Sequence, residues 1–566
     1  MLKIVIKPNQ YSDSVSLMLL SKKLTDLDGV DQVSVMMGSP ANREILAATG
    51  FDGPELEQAG PGDLVVGVIA QSDEAVENVL GRIDEELSAQ SASRRSTGIQ
   101  GVRSLSRALT KSPDAELALV SIPGDHVAGQ VDALLDANLD VMIFSDNVTI
   151  DDEVRLKTKA RDRGLMVMGP DCGTSSLGGI PLAFANSTRK GSIGIVGASG
   201  TGTQEVMIQI DRLGGGISHA IGLGGRDLSS EVGGITCLQA MSALDADLNT
   251  DTIVIVTKPP AAEVRARVEQ AAAQLSKPVV ALFLGERPQT DRAGNIHFAW
   301  TLDEAAAKAV ELTGTAGFAP ATGQRNLVGL YTGGTLASEA AMLVRDSFDL
   351  PALDPHHPNG MILDHDGFQV IDLGDDVYTR GRPHPMIDPS SRTDHMPQVF
   401  DDPATAVVLL DLVLGYGATD DPAGAVAVPI REGLERAQAA GRAIKVVASI
   451  CGTDRDAQNL QQQKDILTEA GVTVLASNAA AVRHAISLIE SARAGHADAV
   501  ADADQQPVPA RIADLLDGPP KIINVGLRSF ATDLADAGAA VTQYDWSPIA
   551  GGDPRLARLV SLLANR

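Results

Sequence analysis

The chain has 566 residues, 44% hydrophobic and only 3% aromatic, with Lys+Arg 46 against Asp+Glu 73 and a formal net charge of -27. That charge repels phosphate backbones and anionic lipid at long range, and so few rings give no platform for stacking bases, so nucleic acid and membrane surfaces are excluded as partners. The length predicts several domains of roughly 100–200 residues each.

Residues 1 to about 87 read as a small α/β unit: strand "KIVIK", a helix from Ser12 or Asp13, strand "QVSVMM", a short helix near Asn42, strand "DLVVGVIA" and helix "DEAVENVLGRIDEEL". Strands alternating with helices in so short a unit suggest a ferredoxin-like arrangement. The serine-rich "SAQSASRRSTG" has no apolar periodicity and reads as a linker. Strands "LALVSIP", "DVMIFSD" and "LMVMGPD", with helices between them, predict a parallel βαβ series over 100–187. The rhythm repeats over 188–318 with "GSIGIVG", "ISHAIGLGG", "DTIVIVTKPP" and "PVVALFLG". It repeats again over 319–497 with "NLVGLYTGG", "AVVLLDLVLGYG", "IKVVASICG" and "VTVLASN". The acidic "ADAVADADQQPVPA" reads as a mobile connector and opens a tail over 498–566. Nearly continuous apolar strands between helices mean parallel sheets buried on both faces, hence a multidomain α/β fold.

Cys172, Cys237 and Cys451 lie far apart, with no CxxC and no Cys/His spacing of a zinc site, so no metal centre is expected. The first residues carry a charge inside their apolar run, and nowhere do about 18 apolar residues follow one another. A soluble, cytoplasmic protein is expected.

Two stretches repeat one another. "VGASGTGTQEV" and "LYTGGTLASEA" superimpose with Gly200 on Gly334, Thr201 on Thr335 and Glu205 on Glu339, an offset of about 134 residues. A glycine turn opening a helix leaves the first backbone N–H groups free and aims the positive end of the helix dipole outward, which suits a phosphate or carboxylate. No lysine of a Walker A follows Gly200 or Gly202, Thr201 stands where a GxSxG nucleophile elbow needs glycine, and GxGxxG is absent. A plain helix cap at Ser199 or Thr201 is the alternative. Two such turns on two similar units could clamp one small phosphorylated ligand from both ends.

"GPDCGTS", "GSIGIVGASGTGTQEV" and "HAIGLGGRDLS" resemble the α-subunit of succinyl-CoA synthetase and other NDP-forming acyl-CoA synthetases, and "NLVGLYTGGTLASEAAMLV" with "VVLLDLVLGYGATDDPA" resembles the CoA-ligase domain of their β-subunits. "FSDNVTIDDEVRLKTKAR", "IGLGGRDLSSEVGGI", "IDLGDDVYTRGRPHPMIDP" and "WSPIAGGD" narrow the resemblance to FdrA-type proteins along essentially the whole chain. The resemblance implies a Rossmann-like CoA-binding-type domain over 100–187, an α-like ligase domain over 188–318 and a β-like one over 319–497, both flavodoxin-like. It also implies that the paired helix N-termini face a phosphoryl group, with Ser199, Gly200, Thr201, Gly333, Gly334 and Thr335 as a two-sided cradle. Asn147, Asp171 and Thr174 fall near the CoA or phosphate region.

The synthetases phosphorylate a histidine in a glycine-rich loop and support it with a glutamate. Here His297 sits in the apolar "NIHFAW", and Lys258-Pro259-Pro260 replaces the glutamate. His297 therefore reads as packed or surface, and no ATP-grasp domain is present to bind nucleotide. FdrA-type proteins are associated with oxamate carbamoyltransferase of allantoin catabolism, which acts with partner subunits. The implied reaction turns oxalurate plus phosphate into oxamate plus carbamoyl phosphate, with phosphate or carbamoyl phosphate as substrate and no certain cofactor; CoA enters only if the chain is a synthetase. A non-catalytic, metabolite-sensing scaffold is the remaining alternative.

Arg380, Arg382 and His384 in "YTRGRPHPMIDP" are candidates to grip a planar carboxylate or to move a proton, because arginine forks match carboxylates. Arg226 stands at a strand end, where α/β sheets bind ligands. Asp227 beside it reads as a cap. Cys172 has no paired base and reads as structural. His356, His357 and Asp354, with His365 nearby, make a poor metal site because adjacent histidines diverge.

Overall fold

The computed structural model describes all residues except 9, 11–13, 61, 94–98, 100, 316–317, 319, 354–357, 495–507 and 549–566. Much of the expected linker after residue 87, nearly all of the acidic connector, most of "WSPIAGGD" and the pair His356–His357 with Asp354 lie outside the described residues. The chain divides into two compact units: residues 1–173, 180–184 and 510–566 form one, and residues 174–179 and 185–509 the other.

The first unit begins with a three-stranded antiparallel sheet in the order Leu2–Lys7, Leu64–Ala70, Val30–Met37. The central strand "LVVGVIA" is apolar throughout because both of its faces are covered. Successive side chains point to opposite faces, so Leu64, Val66, Val68 and Ala70 enter a core with Leu17, Leu24, Val79 and Ile83, while Val65 enters another with Leu46, Phe51 and Leu56. Gly67 has no freedom to be larger, since a Cβ there would lie 2.4 Å from the Phe51 ring.

The same unit holds a five-stranded parallel sheet in the order Val541–Tyr544, Ile522–Gly526, Leu117–Ser121, Asp140–Ile143, Val167–Met168. Numbered along the chain, this is the 3-2-1-4-5 order of a Rossmann sheet without its sixth strand. Its fourth and fifth strands come from the segment expected to be a tail. Ile523 and Val525 lie fully buried in the core formed with Val120, Val141 and Ile143. Phe530 of the helix Arg528–Asp536 meets Phe144 edge to face, with ring centroids 4.9 Å apart.

The second unit is a tandem. Its first parallel sheet runs Ile296–Phe298, Val279–Phe283, Thr252–Thr257, Lys190–Gly197, Ile217–Gly222, followed by the antiparallel Thr174–Leu177. The next runs Val472–Leu475, Lys445–Cys451, Thr405–Val413, Asn326–Tyr331, Phe368–Asp372, followed by the antiparallel Met361–His365. Both have the flavodoxin-like order 2-1-3-4-5 with an antiparallel strand beyond strand 2. The repeat seen in the glycine turns therefore extends through entire sheets. Helix Gly200–Arg212 packs on Leu302–Leu312, and Gly334–Ser347 on Asn478–Ala494; the two inner helices of these pairs pack on each other. There Arg483 pairs with Glu311 at 2.7 Å, and Nδ1–H of the buried His484 donates to the Glu311 carbonyl. Among the described residues no helix is long and apolar enough to cross a membrane.

Candidate functional site

In each half of the tandem the strand order reverses between strands 1 and 3, and ligands of such sheets bind beyond the carboxyl ends of the strands at that point. In the first half, strand Lys190–Gly197 passes through Ala198 and Ser199 into the helix that starts at Gly200. Ser199 Oγ caps it, accepting from the N–H of Gly202 at 3.2 Å. The turn is this tight because Gly197 carries no side chain; a Cβ there would fall 2.0 Å from Thr203 Oγ1. Gly200 and Thr201 are exposed at the mouth, and the first N–H groups of a helix have no partner within it. The hydroxyl of the buried Thr174 lies 3.6 Å from where a Gly200 Cβ would stand.

The neighbouring strands bring cations to the same end. Gly197 pairs with Val256, which places the exposed Lys258 just past the end of strand 3. Gly197 also follows the register of Gly222, so the exposed Arg226 follows the end of strand 2. Asp227 beside it is buried and caps a helix, its two oxygens accepting from the N–H groups of Thr236 and Cys237 at 3.2 and 3.0 Å. A helix N-terminus, a threonine hydroxyl and two cations at one sheet edge can hold a small phosphorylated anion.

The second half has the same backbone and opposite electrostatics. Asp411 stands beside Tyr331, one step past the Leu330–Leu410 pairing, where the first half has Val256 beside Gly197. Its carboxylate accepts from the N–H groups of Thr332 and Gly333, both at 2.8 Å, and from the Thr332 hydroxyl. Arg392, from helix Ser390–Asp401, closes on it with Nη2 to Oδ1 at 2.5 Å and Nη1 to the Asp411 carbonyl at 2.6 Å. The anion that this turn attracts is thus built in. Asp372 adds another carboxylate: a Cβ on Gly334 would lie 2.5 Å from its Oδ2. Burial raises the Asp372 carboxyl above its usual range, reinforced by Asp375 and Asp411 and opposed by the Gly374 N–H and His384.

The sequence candidates distribute unevenly over this geometry. Ser199, Gly200, Thr201, Thr174 and Arg226 come together at the first turn. Gly333, Gly334 and Thr335 form the second turn, where two carboxylates line the approach. His384 lies there as well; its Nδ1 accepts from the Met386 N–H, which leaves the proton on Nε2, and both Nε2 and Asp372 Oδ1 crowd Gly374. Arg380 and Arg382 are exposed instead of gripping a pocket, and Arg382 pairs with Asp394 at 3.4 Å on the surface. Asn147 and Asp171 belong to the first unit, exposed past the strands Asp140–Ile143 and Val167–Met168, each with left-handed backbone at φ 55 and 57. His297 is part of the strand Ile296–Phe298, not of a glycine loop. Burial, with Arg292 and Lys308 nearby, lowers it to about 4.

Arg392 and Asp411 were missed. An aspartate inside the apolar run "AVVLLDLVLGYG" was the available signal, because a buried charge demands a partner.

The fold and the paired turns define an acyl-CoA-synthetase-like α/β protein. The family model described as CoA-ligase matches residues 330–488, the one described as CoA binding domain residues 188–285, and "AllF, heavy metal-associated domain" residues 1–102. The uncharacterised protein YahF of Escherichia coli (strain K12) is 40% identical over 503 residues, covering 84% of this chain and 96% of that one; the chain belongs to the YahF family. Subunit alpha 2 of the ADP-forming succinate–CoA ligase of Archaeoglobus fulgidus is 26% identical over 186 residues, 31% of this chain and 61% of that one. Among solved structures, the apo dinucleotide-forming acetyl-coenzyme A synthetase 1 of Ca. Korarchaeum cryptofilum aligns with a TM-score of 0.50 at 17% identity, over 68% of this chain and 85% of that one. PH0766 from Pyrococcus horikoshii OT3 gives 0.52 at 15% identity, over 70% and 88%.

The name of the amino-terminal match implies a metal that these residues do not fit. Residues 1–102 contain neither cysteine nor histidine, and soft heavy metals select thiolate and imidazole. Among the described residues no group of three or more His, Cys, Asp or Glu could hold a metal ion.

Proposed function

We propose that the chain is the FdrA-type subunit of an oxamate carbamoyltransferase, interconverting oxalurate plus phosphate with oxamate plus carbamoyl phosphate together with partner subunits in the cytoplasm. The observation that carries the reading is the first turn: an exposed helix N-terminus with Lys258 beside it where the synthetases place a glutamate for their phosphohistidine. A lysine there favours a free phosphate or an acyl phosphate and gives nothing to a phosphorylated imidazole. The amino-terminal AllF match supports an allantoin setting. Phosphorolysis of a carbamoyl group requires no nucleotide, metal or covalent phosphoenzyme. Phosphate attacks the carbamoyl carbon, the carbon–nitrogen bond to the oxamate nitrogen breaks, and that nitrogen takes up a proton. Catalysis then comes from positioning and from stabilising the developing oxyanion, with Ser199, Gly200, Thr201 and Lys258 holding the phosphate and Arg226 its partner anion.

The second reading, an NDP-forming acyl-CoA synthetase, is favoured by the CoA-binding match over residues 188–285 and the CoA-ligase match over residues 330–488, one in each half of the tandem. Thermal unfolding of the full chain separates the two. Ligand at about 100 times its Kd stabilises by roughly 2.7 kcal/mol. Stabilisation by carbamoyl phosphate plus oxamate, and not by CoA plus ATP at matched ionic strength, supports the transferase; the reverse overturns it.

A further inference from the structure

The parallel sheet of the first unit can also be numbered from Ile522–Gly526 as strand 1. Val541–Tyr544 is then strand 2, and Leu117–Ser121, Asp140–Ile143 and Val167–Met168 are strands 4, 5 and 6. Val102 stands where strand 3 belongs. It is bridged in parallel to Tyr544 on the outer edge of strand 2; its N–H donates to the Gln543 carbonyl at 2.9 Å, and its carbonyl accepts from the Asp545 N–H at 2.8 Å. Helix Leu105–Lys111 then leads on to strand 4. The 3-2-1-4-5-6 order of a dinucleotide-binding fold is thus present, entered by the chain at strand 3 and completed by its last strands.

In such folds the turn after strand 1 carries G-x-G-x-x-G/A for the pyrophosphate, and an acidic residue about 20 positions on takes the ribose. The corresponding residues here are Gly526, Arg528 and Ala531, with Asp545 just past strand 2. Gly526 keeps the tight turn, with φ 113 and no room for a Cβ against the Ser121 carbonyl. The second glycine, which lets a pyrophosphate reach the backbone, is replaced by Arg528. Arg528 Nη2 donates to both oxygens of Asp545 at 2.8 Å, and Nη1 donates to the Ile99 carbonyl at 2.9 Å. Gly101 is pressed against this pair: a Cβ there would collide with Asp545 Oδ2 and lie 2.7 Å from Arg528 Nη2. Trp546 meets His126, from the first turn of the helix after strand 4, with ring centroids 5.1 Å apart. Strand 1 lies between strands 2 and 4, so these rings span its carboxyl end.

A CoA-binding-type domain implies CoA at this crevice, and CoA carries an ADP unit with the same pyrophosphate as a dinucleotide. The residues do not fit it. The two side chains placed to face pyrophosphate and ribose are bonded to each other, and the family model described as CoA binding domain matches residues 188–285, outside this sheet. We propose that Arg528 and Asp545 form a latch that closes this crevice to CoA and nucleotides. The latch instead staples Ile99 and Gly101–Val102 to the end of the chain's last strand, at the break where strand 2 no longer continues into strand 3. It lies within the first unit and does not depend on the reaction assigned to the tandem.

Hydrogen exchange of the full chain, read by mass spectrometry, tests both parts. Millimolar CoA or ADP is expected to leave peptides over residues 526–531 and 541–546 unchanged, whatever it does to the tandem; protection of those peptides overturns the closure. Arg528→Gly is expected to speed exchange at Val102 and Asp545 by about tenfold or more while strand Leu117–Ser121 exchanges as before. Arg528→Lys, which keeps the charge and loses the fork, is expected to speed it less. Unchanged exchange at Val102 in Arg528→Gly overturns the latch. Crystals of the full chain soaked in CoA give a reading that needs no variant: an intact Arg528–Asp545 pair with no density beside it supports the proposal, and a pyrophosphate on the N–H groups after Gly526 overturns it.

Discussion

Arg392 and Asp411 form an ion pair buried at both ends, with side chains 4% and 0% exposed and the charged atoms 2.5 Å apart. The carboxylate also anchors two backbone N–H groups of the second glycine turn, so the pair ties helix Ser390–Asp401, strand Thr405–Val413 and the start of helix Gly334–Ser347 together. Removing one partner strands the other charge in the interior. Arg392→Met is expected to destabilise the second unit by about 3–5 kcal/mol, and Asp411→Asn by a comparable amount. Denaturant unfolding of each, and of the double variant, should show the double costing clearly less than the two singles together; additive costs would mean that the residues act separately.

Thr201→Glu separates stability from binding at the first turn. An acidic side chain in the first helical turn interacts favourably with the dipole, by about 0.3–1 kcal/mol, and Thr201 is exposed, so nothing is displaced. The same carboxylate repels an arriving phosphate. Calorimetry should find carbamoyl phosphate binding at least tenfold weaker in a protein whose melting temperature is unchanged or higher. Lys258→Ala should weaken binding without that gain.

His297 is expected to carry no phosphate. It is held in an edge-side strand of the first sheet and is neutral at pH 7. Incubation with a labelled phosphoryl donor should leave no acid-labile phosphohistidine, and His297→Gln should keep the full turnover of the assembled complex. Loss of turnover together with loss of label would restore the synthetase mechanism.

Asp140 makes the first unit sensitive to pH. Burial raises its carboxyl to about 7, against the Met166 N–H that it accepts at 2.7 Å and the charge of Arg511. A folded pKa above the unfolded value of about 3.8 means that the folded state holds the proton more tightly. The contribution of Asp140 to stability is complete below about pH 4 and is lost as pH rises to 7, a fall of order 4 kcal/mol at about 1.36 kcal/mol per unit. Asp140→Asn keeps the acceptor for Met166 and should flatten the stability profile between pH 4 and 7. An unchanged slope would mean that another group is responsible.

Most strands were legible because their burial on both faces writes itself as an apolar run, as in "LVVGVIA" and "TIVIVT". The first turn was legible because a tight strand-to-helix passage needs small residues at fixed places. The strand Phe368–Asp372 was missed: "FQVID" mixes polar residues into a strand that faces Asp372 toward the site. Ile296–Phe298 was too short to show a period. Arg392 lies among polar neighbours in "SSRTDHMPQVF", and nothing local distinguishes it from a surface arginine; only its pairing with Asp411 does. The strand Ile522–Gly526 was missed inside the expected tail, because the partner that completes its hydrogen bonds, Leu117–Ser121, lies hundreds of residues earlier and leaves no mark in the local sequence.

That last pairing sets a timetable for biosynthesis. Strands one to three of the Rossmann sheet leave the ribosome early, whereas the fourth begins roughly 350 residues after the third ends; at ~5–20 residues per second, the delay is roughly 20–70 s. Through that interval the hydrogen-bonding edge of Leu117–Ser121, destined for the middle of a sheet, waits unprotected while the tandem between them is made and folds. Nascent chains stalled before residue 522 should therefore be the ones that chaperones hold longest.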